Sequence, residues 1–448
     1  MTQKYFFSAE MLSEWIDPES IFINLYAGKD HAFWLDSSRV IEGFSRFSYI
    51  GEAAKVIRYA ITDGDIFSIL EKELSKIRIP KTTYPFLFAG GYVGYFGYEV
   101  KQLCGFSNNH ISEFPDAMWY FVDRFFIFDH KEKKMYLGCL TTDKKDAAHW
   151  IEKTKTILQK GLVSNERKKE VTITALQLEL DKTNYLQAIN ECKMYLHKGE
   201  SYEICLTNRM RGISYENSLD IYRRLRQSNP APYAAYFHDK DFAILCSSPE
   251  RFLTLDQEGW VESKPMKGTI SRSTNTTADR KRFLQLQESE KDRAENLMIV
   301  DLVRNDLGRV CTIGSVQVPE LMKVETYQTV HQMISVIRGK LRSTVSPIAC
   351  IKACFPGGSM TGAPKKRTIK ILDRLEKSAR GVYSGALGFL SANGTVDLNI
   401  VIRTIVKQQE NISIGLGGAI LYQSDPEKEF DEMLLKARAL QTALTQTE

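Results

Sequence analysis

The chain has 448 residues, of which 43% are hydrophobic and 26% are charged. This balance is typical of a folded protein with a buried core, and the length allows two or three domains. The formal net charge is only +5 and the acidic residues are interleaved with the basic ones, which argues against a nucleic-acid-binding protein.

Membrane and secretory signals are missing from this sequence. No apolar run is long enough to span a bilayer, and the first residues lack the apolar stretch and cleavage site of a secretory signal. The eight cysteines include no close CxxC pair, which is typical of reduced and mostly buried thiols. We therefore predict a cytoplasmic protein without membrane contact.

The first part of the chain is predicted to mix strands, turns and helices. Period-2 and helical spacing predict strands at 32–37, 46–51, 118–128 and 134–140 and helices at 66–79 and 143–160. The segment 88–98 alternates glycine with aromatic residues, which favours packed sheet over a nucleotide-binding loop. The polar segment 161–170 predicts a linker between two regions, 1–165 and 171–448.

The second region is denser in polar motifs. The patterns predict helices at 181–198, 217–228 and 277–304 and strands at 200–209, 233–238, 242–246 and 399–404. No internal repeat at solenoid spacing is present. The candidate functional residues therefore belong to a mixed α and β region rather than to a repeat array.

A lysine lies between a proline and a glycine in Ser263-Lys-Pro-Met-Lys-Gly-Thr269. Pro265 and Gly268 predict a turn after a strand, with Lys267 on its rim. Such a lysine can act as a nucleophile if burial or neighbouring cations lower its pKa. Taken alone, the turn favours an ordinary solvated lysine, and only the neighbouring motifs reverse this.

Acidic residues recur on two predicted helices. Glu295 lies on a helix whose other face is strongly apolar, while Glu429, Glu432 and Lys436 share one face of a helix near the carboxy terminus. Carboxylates from two helices that point into one cleft would suit Mg²⁺, which prefers oxygen ligands. A solvated charged surface is the simpler alternative for either helix by itself.

A glycine-rich loop and an arginine form a third candidate feature. The loop over residues 355–365 leads into a helix near Pro364, so its amides could bind an anion. Arg403 on a predicted strand and the small residues 415–419 could clamp a carboxylate at close backbone approach. A strand arginine and a crowded turn are the alternatives.

The motifs PMKGT, ENLMIVDLVRNDLGRV, VHQMIS, PGGSMTGAPK, GVYSGALG and DPEKEF occur in this order and resemble those of the chorismate-utilising enzymes. The resemblance covers residue 184 to the carboxy terminus clearly, and the first part more weakly through FWLDSS and RFSYIG. It implies an α+β fold in which antiparallel β-sheets pack face to face with flanking helices, as in anthranilate synthase component I. Chorismate is then the expected substrate.

The resemblance also implies roles for individual residues. It implies Mg²⁺ binding on the ring carboxylate of chorismate by Glu295 and Glu432, with Glu429 assisting through water. It implies that the enolpyruvyl carboxylate is held by Tyr383, Arg403, Gly417 and Gly418, and that the ring and its carboxylate are lined by His331, Thr361 and Lys436. Glu250, in SSPE, matches the general acid that protonates the departing ring hydroxyl.

Two positions distinguish branches of this family. The isochorismate-forming members resemble one another in having a lysine that activates water, and this chain has Glu203 at that position. The anthranilate-forming members have alanine at the position of Lys267. The PxKGT form resembles the branch that makes 4-amino-4-deoxychorismate for 4-aminobenzoate and folate synthesis through a covalent lysine adduct. We therefore expect this reaction, with anthranilate formation as the alternative.

The resemblance further implies two partners. The sequence lacks the cysteine elbow of a glutamine amidotransferase, so a separate glutaminase subunit is expected to supply ammonia. FWLDSS and RFSYIG resemble the family's tryptophan pocket, which places candidate tryptophan-binding residues at Leu35, Asp36, Ser37 and Arg46.

Overall fold

A computed structural model describes residues 3–162, 173–327 and 330–445. Within these residues the helices are α1 (Pro18–Leu25), α2 (Ile66–Ser75), α3 (Lys144–Gln159), α4 (Lys182–His197), α5 (Ser218–Ser228), α6 (Thr276–Glu288), α7 (Glu290–Gly308), α8 (Pro347–Cys354), α9 (Lys365–Leu375) and α10 (Pro426–Thr445). No helix among the described residues is long and apolar enough to cross a membrane.

The strands of the described residues are β1 (Gln3–Lys4), β2 (Phe6–Met11), β3 (His31–Asp36), β4 (Phe47–Glu52), β5 (Lys55–Tyr59), β6 (Ile77–Arg78), β7 (Gly91–Phe96), β8 (Ala117–Val122), β9 (Arg124–Asp129), β10 (Lys134–Thr141), β11 (Gln177–Leu178), β12 (Glu203–Ile213), β13 (Tyr233–Asp239), β14 (Phe242–Ser248), β15 (Arg251–Leu255), β16 (Trp260–Lys264), β17 (Met266–Ser271), β18 (Gln317–Thr326), β19 (Val330–Lys340), β20 (Gly362–Ala363), β21 (Ala386–Ser391), β22 (Val396–Ile400), β23 (Thr404–Gln408) and β24 (Asn411–Ile420).

Most of these strands form two large antiparallel sheets. The first sheet has twelve strands in the order β11-β12-β24-β23-β14-β13-β3-β4-β9-β10-β2, with β20 added on β12. The second sheet has ten strands in the order β17-β19-β16-β15-β22-β21-β7-β8-β5, with β18 added on β19. The short pair β1 and β6 is parallel and separate from both.

The two sheets pack face to face through an aromatic layer. Phe33 and Phe237 of the first sheet belong to the same buried cluster as Tyr95 and Phe389 of the second. The Tyr120 ring of β8 stacks on Phe237 of β13 with 4.2 Å between centroids. This layer joins the sheets into one body, as expected for sandwich packing.

Helices cover the outer face of each sheet. Apolar residues of α4, α5, α9 and α10 pack on the first sheet, and those of α2, α7 and α8 pack on the second. Each helix therefore buries one apolar stripe against a sheet and leaves its polar side outward. The predicted α+β fold of face-to-face antiparallel sheets with flanking helices is confirmed.

The predicted strand over 118–128 was wrong, because the chain forms two strands there. β8 ends at Val122 in the second sheet and β9 begins at Arg124 in the first, so the chain changes sheets at Asp123. Both strands are mostly buried, so the apolar run gives no periodic sign of the break.

Two predicted helices also have different ends. The helix predicted at 277–304 is divided into α6 and α7 at Ser289, whose side chain caps α7 by accepting a hydrogen bond from the Asp292 backbone amide. The helix predicted at 66–79 ends at Ser75, because Ile77 and Arg78 pair with β1. Propensity alone does not reveal either interruption.

Both predicted regions contribute to each large sheet. β3 pairs with β13 in the first sheet, and β7 pairs with β21 in the second. Only residues 161 and 162 of the predicted linker are described, and the rest of it lies outside the described residues. The sheets therefore run continuously across the predicted boundary.

Candidate active site

A cleft of about 740 Å³ opens where the two sheets and two helices meet. Its walls come from β12 and β24 of the first sheet, β17 of the second sheet, and helices α7 and α10. Most of the predicted site residues line it: Glu250, Lys267, Glu295, Tyr383, Arg403, Gly417, Gly418, Glu429, Glu432 and Lys436.

Lys267 lies on strand β17 rather than on the rim of a turn, which corrects the prediction. The pairing of β17 with β19 shifts between Met266 and Thr269, and Gly268 adopts φ 75° at this irregularity. A Cβ atom on Gly268 would lie 2.8 Å from the Asp292 side chain, so only glycine lets β17 pass α7 here. The bulge re-aims the strand next to Lys267.

The Lys267 ammonium is held by buried carboxylates. Its Nζ donates a hydrogen bond to Glu203 Oε1 at 2.7 Å and lies 3.9 Å from Glu295 Oε2. Burial would lower the pKa of Lys267, but Glu203 and Glu295 raise it overall. The resting side chain is therefore charged, and the lowered pKa that a nucleophilic lysine requires is not present in the resting cleft.

Glu203 is the partner that the sequence did not assign. Its side chain is fully buried, and its second oxygen, Oε2, has no hydrogen-bond partner among the described residues. An unpaired buried carboxylate oxygen is costly, so Glu203 is an available proton acceptor directly beside the Lys267 amine. Its location on β12 of the first sheet brings it against Lys267 of the second.

Glu250 can carry a proton near neutral pH. It lies between β14 and β15 and lines the cleft, and burial raises its pKa to about 7, although a hydrogen bond with Ser359 and the charge of Lys267 oppose this shift. Ser359 comes from the glycine-rich loop, which the structure folds into a short 3₁₀ turn at Gly358–Met360. This protonation state fits the predicted general acid.

Three carboxylates face one another from α7 and α10. Burial and the nearby Glu203 raise the pKa of Glu295 to about 7 against the opposing charge of Lys267. The pKa of Glu432 is affected most by burial, which raises it, but Lys436 at 2.9 Å lowers it overall. Glu429 accepts hydrogen bonds from Ser424 at 2.7 Å and Lys291 at 3.2 Å.

These carboxylates suit a hard cation in their chemistry. In the described residues no group of three or more His, Cys, Asp or Glu side chains is already gathered closely enough to hold a metal. The Lys291 ammonium nevertheless lies 3.2 Å from Glu429 and 4.0 Å from Glu295, so a cation already sits between carboxylates of both helices. Oxygen donors around such a position fit Mg²⁺.

The wall of the cleft formed by β24 lets side chains lie close to its backbone and carries positive charge nearby. A Cβ atom on Gly415 would lie 2.0 Å from Cγ of Tyr383, so this glycine lets the Tyr383 ring lie directly on β24. The Lys436 ammonium, which pairs with Glu432, also donates to the Gly417 carbonyl at 3.2 Å.

Arg403 was predicted to lie on a strand, but it lies between β22 and β23 with φ 52°. Its Nη1 donates to the Lys436 carbonyl at 3.2 Å, and burial lowers its pKa. Across the described ranges, Arg403 forms no ion pair with a carboxylate side chain. Its guanidinium is therefore free to bind an anion in the cleft.

Two predicted site residues do not line the cleft. His331 lies on β19 with its ring within hydrogen-bond distance of Asp279 (3.1 Å) and Thr326 (2.9 Å), while its neighbours Val330 and Gln332 face the cleft. Successive strand residues point to opposite faces, which accounts for this. Thr361 lies under the glycine-rich loop, where its hydroxyl donates to the Gly358 carbonyl at 3.1 Å.

A second cavity, of about 680 Å³, lies near β3 and β4 and also reaches β21 of the second sheet. The four candidate tryptophan-binding residues line it together: Leu35, Asp36, Ser37 and Arg46. Asp36 accepts a hydrogen bond from Arg226 at 2.7 Å, and Arg46 makes a bidentate pair with Asp129 at 2.8 and 2.6 Å. The charged side chains of Asp36 and Arg46 in this cavity are therefore already paired with other side chains of the protein.

Comparison with known proteins gives a consistent family. Residues 29–442 match the family model described as chorismate binding enzyme. The chain is 44% identical to aminodeoxychorismate synthase of Streptomyces pristinaespiralis over 96% of this chain and 64% of that protein. It is 42% identical to the chloroplastic aminodeoxychorismate synthase of Arabidopsis thaliana over 94% of this chain and 51% of that protein.

A solved structure agrees with the fold. Anthranilate synthase component I from Streptococcus pneumoniae superimposes with a TM-score of 0.78 at 25% identity, covering 98% of this chain and 99% of that chain. The chain spans only between about half and two thirds of the curated synthases described above.

Proposed function

This chain belongs to the chorismate-binding enzymes, and from that membership we propose that it converts chorismate and ammonia to 4-amino-4-deoxychorismate. In this proposal it acts as an aminodeoxychorismate synthase component I and supplies 4-aminobenzoate and folate synthesis. The observation that carries the proposal is Lys267, which reaches the cleft from β17 and pairs with Glu203 at 2.7 Å. Curated relatives named aminodeoxychorismate synthase support the same reaction.

The first half of the proposed reaction forms a covalent adduct. Glu203 takes a proton from the Lys267 ammonium, and the free amine bonds to ring carbon 2 of chorismate. The two conjugated ring double bonds shift, and the bond from carbon 4 to its hydroxyl breaks. Glu250, whose pKa is about 7, donates the proton that lets this group leave as water.

The second half regenerates the enzyme. Ammonia bonds to carbon 4, both ring double bonds shift back, and the bond between carbon 2 and Lys267 breaks. Glu203 returns its proton to the lysine, and Glu250 takes one from the new ammonium group. Because the adduct occupies carbon 2, ammonia is directed to carbon 4, and the net change is replacement of hydroxyl by amine with release of water.

Substrate binding is assigned to the two charged walls. Arg403, Tyr383 and the amides of Gly417 and Gly418 would bind the enolpyruvyl carboxylate, since Arg403 forms no ion pair with another described residue. Glu295 and Glu432, with Glu429, would hold Mg²⁺, which neutralises the ring carboxylate when bound. Lys436 would contact that carboxylate from α10.

Product analysis tests this function. Purified protein is incubated with chorismate, Mg²⁺ and ammonium at mildly alkaline pH, with and without a lyase that forms 4-aminobenzoate, and products are separated and weighed by mass spectrometry. We expect 4-aminobenzoate only when the lyase is present. Anthranilate formed without the lyase would support the alternative activity, and isochorismate would exclude the role of Lys267.

Ammonia is proposed to come from a glutaminase subunit that binds this chain. The support is that this sequence contains no cysteine elbow of such an enzyme. Glutamine should therefore replace ammonium only when that subunit is added. A cytoplasmic location is proposed as well, and it is supported by eight cysteines that are all free thiols.

The second cavity is proposed to bind tryptophan. The support is the convergence of Leu35, Asp36, Ser37 and Arg46 on one cavity with aromatic walls that include Phe44 and Tyr233. A flat aromatic ligand with a polar end fits such a lining. Calorimetric titration of the protein with L-tryptophan tests the assignment directly.

A further inference from the structure

Lys291 is a cleft residue for which the proposed reaction has no role. It lies on α7 one turn before Glu295, and its ammonium lies 4.0 Å from Glu295 Oε1. The same ammonium donates a hydrogen bond to Glu429 Oε1 of α10 at 3.2 Å. One lysine therefore joins the two acidic helices across the mouth of the cleft.

The surrounding charges explain why a cation is held there. Glu295 and Glu429 both lie within ion-pair distance of this ammonium, and Glu432 acts on it through space. Burial would lower the pKa of Lys291, but these three carboxylates raise it overall. The Lys291 ammonium thus offsets the repulsion between these carboxylates.

We propose that Lys291 is a resident counter-ion that competes with Mg²⁺ for Glu295 and Glu429. The metal binds by displacing this ammonium into solvent, so Lys291 sets the Mg²⁺ concentration at which the cleft is loaded. This inference rests on the proposed function, because it takes the same carboxylates as the ligands of the metal.

Displacement is physically reasonable for this side chain. Lys291 is 41% exposed, so its flexible stem can carry the ammonium into water without crossing the core. A partly exposed ion pair stabilises the folded protein only weakly. A divalent ion that takes oxygen ligands from two helices can therefore replace it, at some loss of apparent affinity.

Calorimetric titration of the protein with MgCl₂ in the absence of chorismate tests this competition. Lys291→Met removes the competing charge and keeps the apolar stem, so we expect Mg²⁺ to bind about tenfold more tightly. Lys291→Arg keeps a cation between the carboxylates and should bind Mg²⁺ within about threefold of the unmodified protein. An unchanged dissociation constant in Lys291→Met overturns the proposal.

Lys352→Met is the matched control. Lys352 has a similar exposure of 36% and pairs with Asp65 of α2, away from the cleft. The two Met variants change the net charge of the protein equally, so a general electrostatic effect would tighten Mg²⁺ binding in both. Tightening confined to Lys291→Met supports local competition, and equal tightening in both variants overturns it.

A second measurement follows the lysine itself. The protein is treated briefly with an amine-acetylating reagent with and without Mg²⁺, and the peptides carrying Lys291 and Lys352 are compared by mass spectrometry. Displacement predicts at least about a threefold rise in Lys291 labelling with Mg²⁺ and no change at Lys352. Unchanged Lys291 labelling while Mg²⁺ binds would show that the ammonium stays in place, which overturns the proposal.

The proposed competition between Lys291 and Mg²⁺ and the proposed synthase function can be disproved separately. If the protein makes 4-amino-4-deoxychorismate but Lys291→Met binds Mg²⁺ as the unmodified protein does, the competition is wrong and the function stands. If Mg²⁺ binds with the predicted competition but the product is anthranilate, the function is wrong and the competition stands. If no variant binds Mg²⁺ in the absence of chorismate, the competition is overturned.

Discussion

The two cavities of this protein are similar in volume but differ in how their charges are used. The cleft of about 740 Å³ holds carboxylates and lysines from β17, α7, α10 and the segment between β14 and β15, and two of its carboxyl groups have pKa values raised to about 7. The second cavity, of about 680 Å³, has an aromatic lining, and Asp36 and Arg46 are paired with protein side chains.

This difference separates a cavity suited to proton transfer, the cleft, from one suited to ligand binding, the second cavity. In the cleft, burial and like charges hold Glu250 and Glu295 near the point of half protonation at neutral pH, so protons can move. In the second cavity, Arg226 and Asp129 fix the charges of Asp36 and Arg46, so we expect this site to select a ligand by shape. Variants in the cleft should therefore change rates, and ligands of the second cavity should change stability.

Replacement of Lys267 gives the largest expected effect. Lys267→Ala removes the nucleophile, so amination of chorismate should fall on the order of 10³-fold or more. The measurement is chromatographic quantification of 4-amino-4-deoxychorismate. Full activity in Lys267→Ala would exclude the covalent role.

A charge-matched variant controls for stability in this experiment. Loss of Lys267 leaves Glu203 buried without its partner, which can destabilise the protein by about 3 kcal/mol or more. Lys267→Arg keeps a cation beside Glu203 at this position. It should be equally inactive while melting close to the unmodified protein.

Glu250→Gln should have the next largest effect, because it removes the proton donor without changing the size of the side chain. The turnover number should fall about 10²- to 10³-fold, while the Michaelis constant changes little. In the unmodified protein, activity that needs protonated Glu250 should decline as the pH rises above about 7. A pH profile that keeps this decline in Glu250→Gln would assign it to another group.

At alkaline pH, Glu250→Gln should be more stable than the unmodified protein. Burial raises the Glu250 pKa from 4.5 to about 7 in the folded state, so its stabilising contribution is complete below pH 4.5 and is lost as the pH rises through about 7. At pH 8 we expect Glu250→Gln to unfold with a free energy about 2 to 3 kcal/mol higher, and at pH 4.5 to be nearly unchanged. Urea denaturation at both pH values measures this.

Glu203→Gln is expected to have a smaller effect on rate. The amide cannot take the proton of the Lys267 ammonium, so the turnover number should fall about 10²-fold or less and recover partly at higher pH. Glu200→Gln is the matched control, since Glu200 is on the same segment but pairs with Arg367 outside the cleft. Equal rates in the two variants would remove Glu203 from the mechanism.

The sequence predicted the sheets and the residue types of the cleft but not how the elements bring them together. Lys267 and Glu250 were found from motifs, whereas Glu203 meets the lysine only because the two sheets bring β12 and β17 together at the cleft. His331 shows the limit of motif transfer, because one step along β19 decides which face a side chain occupies. Lys291 carried a local signal, its i, i+4 spacing from Glu295, but its contact with α10 is long-range.

The smallest expected effect concerns the second cavity and would complete the contrast with the cleft. L-tryptophan at 100 times its dissociation constant should stabilise the folded state by about 2.7 kcal/mol, which raises the melting temperature by about 1 to 3 °C for a chain of this size. D-tryptophan and L-alanine serve as controls of shape and of the amino-acid group. Because the two cavities have separate linings, Lys267→Arg should retain the whole shift. A shift that disappears in Lys267→Arg would place tryptophan in the cleft instead, and the division between a reactive cavity and a binding cavity would be wrong.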